Sequence, residues 1–170
     1  YVDPRPSHLV ALSRADVLIA NGLELEIGWL PPLQVQSRNR AVQIGGNGLV
    51  EAAAFVSPLD SDRIVDRSMG DVHPGGNPHF NFDPRAMAAV ATGLGERFAA
   101  LDRANADTYR RNAAGLVAAL QALATREAER FAALAPHLDT ELQAFYTSLL
   151  RAESRHFQDY LGYARTAADG

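Results

Sequence analysis

Two histidines, His73 and His79, lie six residues apart in a stretch that is rich in glycine and proline. A neutral imidazole nitrogen is the commonest protein ligand for zinc and similar ions. Prolines at positions 74, 78 and 84 stiffen the backbone here, so a ligand in this stretch would lose little conformational entropy on binding. Both histidines are therefore candidate metal ligands. A site needs three or four ligands, and the alternative is a surface loop with solvated histidines.

The elements that must position these histidines change in type along the chain. Before the loop at residues 68–84, helical segments at 7–14 and 24–33 alternate with short apolar runs at 16–20 and 40–44. Such runs, closed by Asn-Gly or glycine-rich turns, are typical of buried parallel strands. We expect Pro31 and Pro32 to break the second helix. After the loop, Asp83 and Pro84 begin a helix that runs to about residue 100.

The rest of the chain has the apolar spacing of helices. Asp102 or Asn105 can cap a long helix, with Leu116 and Leu120 in its apolar stripe, that ends at Pro136, and residues 139–165 form a further helix. The sequence therefore predicts an α/β N-terminal lobe with a short parallel sheet, followed by an all-helical C-terminal segment. We place the metal-binding lobe at residues 1–102 and the helical segment at 103–170.

Length and composition limit the classes of function. The chain has 170 residues, enough for one domain or one lobe with an appendage, and a net charge of -4. All 16 basic residues are arginines, without a basic run, which argues against general binding to nucleic acid or anionic membranes. The absence of cysteine excludes disulfides and thiol nucleophiles. Residues 1–6 do not have the pattern of a signal peptide, so we expect the numbering to start within a longer or processed protein.

Several motifs carry a family resemblance through their joint order. In chain order they are DPRPS at 3–7, ADVLIANGLELE at 15–26, GDVH at 70–73, GNPH at 76–79, DP at 83–84 and NADTY at 105–109. Over about residues 1–120 the chain resembles the N-terminal lobe of the zinc/manganese-type solute-binding proteins of metal ABC transporters.

The resemblance implies a ligand set. His79 matches the imidazole ligand of the Asn-Pro-His motif, and His73 is a weaker candidate, as an auxiliary ligand or as the hydrogen-bond partner of one. A further family histidine would fall immediately before Tyr1 or at Tyr1, which is not a histidine. The remaining ligands come from a second α/β lobe, which we do not expect within residues 1–170.

The same resemblance implies the biology. The bound ion would be zinc, with manganese as the alternative, and the partner would be a membrane ABC permease. The location would be periplasmic, with no covalent chemistry and no nucleic-acid partner.

A second resemblance covers about residues 126–165, which are similar to the ferritin-like di-iron hydroxylases that modify tRNA. Glu153 and His156 form a Glu-x-x-His pair, whose spacing lets both side chains reach one iron in a bundle core. A di-iron site needs a second such pair and two further glutamates, and Ala124 occupies one glutamate position. The alternative function is therefore a hydroxylase fragment, or a chimera joined near residue 120. From the pattern alone, the pair also fits a solvated helix face.

Overall fold

The computed structural model describes residues 2–57 and 75–134, together with residues 138, 140 and 142. Two compact units follow one another along the chain, the first ending at Pro78 and the second beginning at His79. The predicted helix end at Pro136 and the predicted helix at 139–165 lie outside the continuous described ranges. The predicted boundary between residues 102 and 103 stays a prediction.

The first unit combines short helices with a small parallel sheet. Its regular elements are helix α1 (Pro6–Arg14), strand β1 (Leu18–Ala20), helix α2 (Leu30–Ser37) and strand β2 (Leu49–Glu51). The two strands pair in parallel, with Leu18 opposite Leu49 and Ala20 opposite Glu51. Parallel strands need a crossover, which α2 and the turns around it provide. The predicted α/β lobe with a short parallel sheet is confirmed.

The strand predicted at 40–44 is wrong. Residues Arg40–Val42 form a 3-10 helix, because the side chain of Asn39 accepts a hydrogen bond from the backbone N–H of Ala41 at 3.1 Å and closes a turn. The chain then turns through glycines and pairs with β1 only from Leu49 onward. Gly48 is required in this turn, because a Cβ atom there would overlap the carbonyl oxygen of Asp16.

The helix predicted at 24–33, broken by its two prolines, is also wrong. The prolines lie in the first turn of α2, where a missing N–H costs no intrahelical hydrogen bond. The helix therefore begins at Leu30 and runs through the prolines, and residues 23–29 form turns before it. The core of this unit consists of the buried residues Leu12, Ala20, Leu30, Leu33 and Val42.

The second unit contains a helical pair in its described part. Helix α3 (Pro84–Leu101) and helix α4 (Ala106–Leu134) are joined by a 3-10 helix at Arg103–Asn105. The buried carboxylate of Asp83 accepts a hydrogen bond from the backbone N–H of Arg85 at 2.8 Å and caps α3. The predicted helix start at Asp83 and Pro84 is confirmed, and so is the helical character of this region. None of the described helices is long and apolar enough to cross a membrane.

Small residues bring α3 and α4 close together. The buried face of α3 consists of Ala88, Val90, Ala91, Gly95 and Ala99. On α4, Leu120 is half-buried as expected, but Leu116 is 52% exposed. The half-buried stripe of α4 runs through Ala113, Val117 and Leu120, which are spaced four and three residues apart, and Leu116 lies one position off this stripe.

Gly95 lies at the closest point of this pair. A Cβ atom on Gly95 would lie 2.6 Å from the Cβ of Ala113, so any larger side chain must push the helices apart. We expect Gly95→Val to lower the free energy of unfolding by about 2–3 kcal/mol, as overpacking of a well-packed contact does. Urea unfolding followed by circular dichroism measures this difference.

Gly115 on α4 gives the matched control, because nothing lies within 4 Å of a Cβ atom built there. The same substitution, Gly115→Val, should leave stability unchanged or raise it by about 0.5 kcal/mol through helix propensity. Equal stability of the Gly95→Val variant and the unmodified chain would contradict the close packing of α3 on α4.

A pH-dependent contact joins the two helices at their connection. Oδ2 of Asp102 accepts hydrogen bonds from Asn105 Nδ2 at 2.8 Å and from the Tyr109 hydroxyl at 3.1 Å. Chiefly the Asn105 bond, then the Tyr109 bond, lowers the pKa of Asp102 below its ordinary value of 3.8, and the same carboxylate raises the pKa of Tyr109.

A carboxyl with a lowered folded-state pKa stabilises the protein above its unfolded-state pKa, and this contribution disappears as the pH falls through the folded-state pKa. Asp102→Asn should therefore reduce stability at pH 7 and weaken the further loss of stability below about pH 4. Urea unfolding at pH 7, 4 and 3 tests this. Asp3→Asn, at an exposed position, is the control. If the free energy of unfolding of Asp102→Asn fell as steeply with decreasing pH as that of the unmodified chain, these hydrogen bonds would not contribute to the pH dependence of stability.

Candidate metal centre

His79 lies in a short 3-10 helix, Pro78–Phe82, whose backbone kinks at the histidine itself, with φ -85 and ψ 21. Its ring is half-buried, and its centroid lies 6.4 Å from that of Phe82. The neighbouring Phe80 is only 1% exposed and anchors the turn, whereas Phe82 is 79% exposed. A half-buried imidazole on an anchored turn is partly shielded from water and remains accessible to an ion.

The peptide group that leads into His79 is tethered to the end of strand β1. The side-chain amide of Asn21 donates a hydrogen bond from Nδ2 to the carbonyl oxygen of Pro78 at 2.9 Å. Asn21 follows Ala20, the last residue of β1. In open parallel sheets, ligands bind outside the carboxyl ends of the strands, and Asn21 occupies such an end.

Asn21 begins a turn in which a carboxylate holds the backbone. The Glu26 side chain accepts hydrogen bonds from the backbone N–H groups of Asn21 at 2.7 Å and of Gly22 at 3.2 Å. On the other side, the carbonyl oxygen of Asn21 accepts a hydrogen bond from the N–H of Ala53 at 2.9 Å. Both main-chain groups of Asn21 are thus engaged, and its side chain reaches the carbonyl of Pro78.

Reasoning from the sequence missed Asn21. The available signal was the Asn-Gly pair directly after an apolar run, but that pair is equally typical of a simple turn. Its contact with Pro78 spans 57 positions in the sequence, and local patterns do not contain it.

Part of the candidate ligand set lies beyond the described ranges. Within them, no three His, Asp or Glu side chains come together in a group that could hold a metal ion. His73, Glu153 and His156 all lie outside the described residues. The described part therefore places His79 alone among the predicted ligands, and a complete coordination shell needs groups from other residues.

A bidentate ion pair in the described second unit connects its two helices. Arg110 donates from Nε and Nη2 to the two carboxylate oxygens of Glu96, both at 2.9 Å, and connects α4 to α3. This bidentate contact lowers the pKa of Glu96 and raises that of Arg110. Both side chains are exposed, so the pair forms no ligand site.

The chain matches a known protein family over most of its length. Residues 1–145 match the family described as ZnuA, zinc-uptake complex component A, periplasmic. The chain belongs to this family. The match confirms the first resemblance and continues beyond residue 120, the limit of the resemblance seen in the sequence.

Individual relatives span different shares of the chain. A "Putative metal-binding protein" of Treponema pallidum is 26% identical over 88% of the chain and 47% of that protein. A crystal structure of ZnuA has a TM-score of 0.59 and 26% identity, covering 75% of the chain and 46% of the solved one. A tRNA 2-(methylsulfanyl)-N(6)-isopentenyladenosine(37) hydroxylase of Salmonella typhimurium is 68% identical over 40 residues, 24% of the chain and 15% of the enzyme. The chain spans less than half of each relative.

Proposed function

We propose that the chain captures a divalent metal ion, most favourably zinc, as part of the substrate-binding component of an ABC transporter. The observation that carries this proposal is His79, a half-buried imidazole on an anchored turn. Its place in the Asn-Pro-His sequence, which resembles the family's ligand motif, supports the same role. The peptide before it is tethered to a strand end, which reduces the loop freedom lost when an ion binds. The protein then acts by binding and release, without covalent chemistry.

Ligand chemistry favours zinc over harder ions. Imidazole suits zinc and other late transition metals, whereas magnesium, calcium and manganese prefer oxygen ligands. Manganese remains the alternative where carboxylates complete the site. His73 is the proposed auxiliary ligand, six residues before His79, and the other ligands come from residues outside the described part.

The family description, which names a periplasmic component of a zinc-uptake complex, supports a proposal for the location and the partner. We infer that the chain delivers its ion to a membrane ABC permease from the periplasm. The net charge of -4, with no lysine, supports a cation-binding function better than a nucleic-acid partner.

The hydroxylase match supports a second candidate function. Glu153 and His156 would there hold iron as part of a di-iron site in a tRNA hydroxylase fragment, or in a chimera. Such a site needs ligands from four helices, and the match covers only 15% of the enzyme relative. Metal capture is therefore the function that the chain supports better.

Calorimetric titration of the chain with zinc, manganese and, anaerobically, ferrous iron tests the two functions, with His79→Ala and His156→Ala variants measured in parallel. Loss of zinc affinity in the first variant alone supports metal capture. Iron uptake that depends on His156 supports the hydroxylase alternative. If neither zinc nor iron binds more tightly than about micromolar, both functions are wrong for this chain.

A further inference from the structure

We propose that the turn at residues 21–26 positions residues 75–79, and that Asn21 is the positioning residue for His79. The Asn21 amide holds the peptide group that leads into His79, so the imidazole is presented in one arrangement before an ion arrives. This inference rests on the proposed function, because it gives Asn21 a part in metal capture.

Two contacts connect this turn to residues 75–78. The first is the hydrogen bond from Asn21 Nδ2 to the carbonyl oxygen of Pro78. The second lies at Gly75, where a Cβ atom would come within 3.2 Å of Leu23 Cδ2, so the leucine side chain lies against the glycine. Pro78 itself is fully buried. The four residues before His79 are thus held at both ends by one turn.

The turn is rigid for reasons of its own. The φ angles of Gly22, Leu23 and Glu24 are +86°, +53° and +63°, so three consecutive residues are in the left-handed region. Leucine and glutamate adopt this conformation only at an energetic cost. The conformation therefore persists only where surrounding contacts hold it in place. The two hydrogen bonds from backbone N–H groups to Glu26 supply these contacts.

The main chain and the side chain of Asn21 make different contacts. The carboxylate of Glu26 and the N–H of Ala53 fix the main chain of Asn21, and that leaves the Asn21 amide aimed at Pro78. The amide also donates to the carbonyl oxygen of Gly22 at 3.4 Å within the turn, but its shorter hydrogen bond is the one to Pro78. A group that orients a metal ligand through its backbone should affect affinity as outer partners of ligands do, by about 10- to 100-fold.

The test uses two Asn21 variants of the whole chain. Asn21→Ala removes the amide, and Asn21→Asp keeps its shape but replaces the donor with an oxygen that repels the Pro78 carbonyl. Zinc affinity should fall by about 10-fold or more in both, and more in the aspartate variant. In the absence of zinc, backbone amide hydrogens at residues 79–82 should exchange faster in both Asn21 variants than in the unmodified chain. Circular dichroism verifies that the variants are folded.

Asn39→Ala is the matched control, because Asn39 makes three side-chain hydrogen bonds elsewhere in the first unit. It should lower stability and leave zinc affinity unchanged. The inference is wrong if the variants at Asn21 and Asn39 all lose zinc affinity in proportion to their loss of stability. It is also wrong if the Asn21 variants bind zinc normally while His79→Ala does not. In either case the proposed metal capture stands. Normal zinc binding by His79→Ala would overturn the proposed ligand and this inference together.

Discussion

Replacement of His79 by alanine is expected to weaken zinc binding by about 100-fold or more. Structural zinc sites with four ligands contribute about 10–16 kcal/mol in zinc-finger peptides, or about 3 kcal/mol for each ligand, and we expect a similar share for this imidazole. Each 1.4 kcal/mol corresponds to about a tenfold change in the dissociation constant, which gives the expected factor. Competition with a chelating dye of known zinc affinity measures it directly.

His8 provides the control for this experiment. Its Nδ1 accepts a hydrogen bond from the backbone N–H of Arg5 at 3.2 Å and caps the start of α1. His8→Ala should therefore reduce helix stability slightly and leave zinc affinity as it was. Equal losses of affinity in His8→Ala and His79→Ala would mean that zinc is held by scattered imidazoles, and the assignment of His79 would be wrong.

His73→Ala separates an auxiliary ligand from a solvated loop residue. As a ligand or a partner of one, His73 should contribute about 10-fold or more to zinc affinity. As a solvated residue it should contribute nothing. The comparison with His79→Ala, measured under the same conditions, ranks the two histidines of the loop.

Elements that depend on local signals were predictable from the sequence. The start of α3 follows from Asp83, whose side chain caps the helix, and from Pro84 in the first turn. Strand β1 follows from a short apolar run closed by Asn-Gly. In both cases the residues that determine the element lie within it or directly beside it.

Strand β2 depends on distant residues, and the sequence pattern placed it wrongly. The run at 40–44 looks as apolar as Leu49–Glu51, but Asn39 bends it into a 3-10 helix and uses its backbone there. Which stretch becomes a strand is decided by pairing with β1, about thirty residues away. Periodicity within a short window contains no information on that choice.

The candidate site divides along the same line. His79 could be proposed as a ligand because its residue type and motif are visible in the sequence. The contact of Asn21 with Pro78 could not be predicted, because it is a hydrogen bond between residues that are far apart in the chain. The turn that presents Asn21 also contains left-handed Leu23 and Glu24, which propensities alone would not place in that conformation.

Asn39→Ala is expected to lower the free energy of unfolding by about 2–4 kcal/mol. The side-chain amide donates to the carbonyl oxygens of Leu12 at 2.8 Å and Ala15 at 2.7 Å, the first in the last turn of α1 and the second at its C-cap. Its Oδ1 accepts from the N–H of Ala41, as an N-cap does. Each such bond contributes about 1 kcal/mol. The Leu12 carbonyl oxygen retains the N–H of Ala15 as a donor at 3.3 Å, so chiefly the loss of the donor to the Ala15 carbonyl oxygen adds to the effect.

A second substitution at position 39 and one at the next position test this prediction further. Asn39→Asp retains the acceptor for Ala41 but loses both donations and places negative charge beside two carbonyl oxygens, so at neutral pH it should destabilise at least as much as alanine. Arg40→Ala, at the exposed next position, should change stability by less than about 0.5 kcal/mol. Urea unfolding of the three variants measures these differences. If Asn39→Ala lowered the free energy of unfolding by less than about 1 kcal/mol, water would be replacing the amide at the end of α1. The hydrogen bonds that connect α1 to the 3-10 helix would then contribute little to stability.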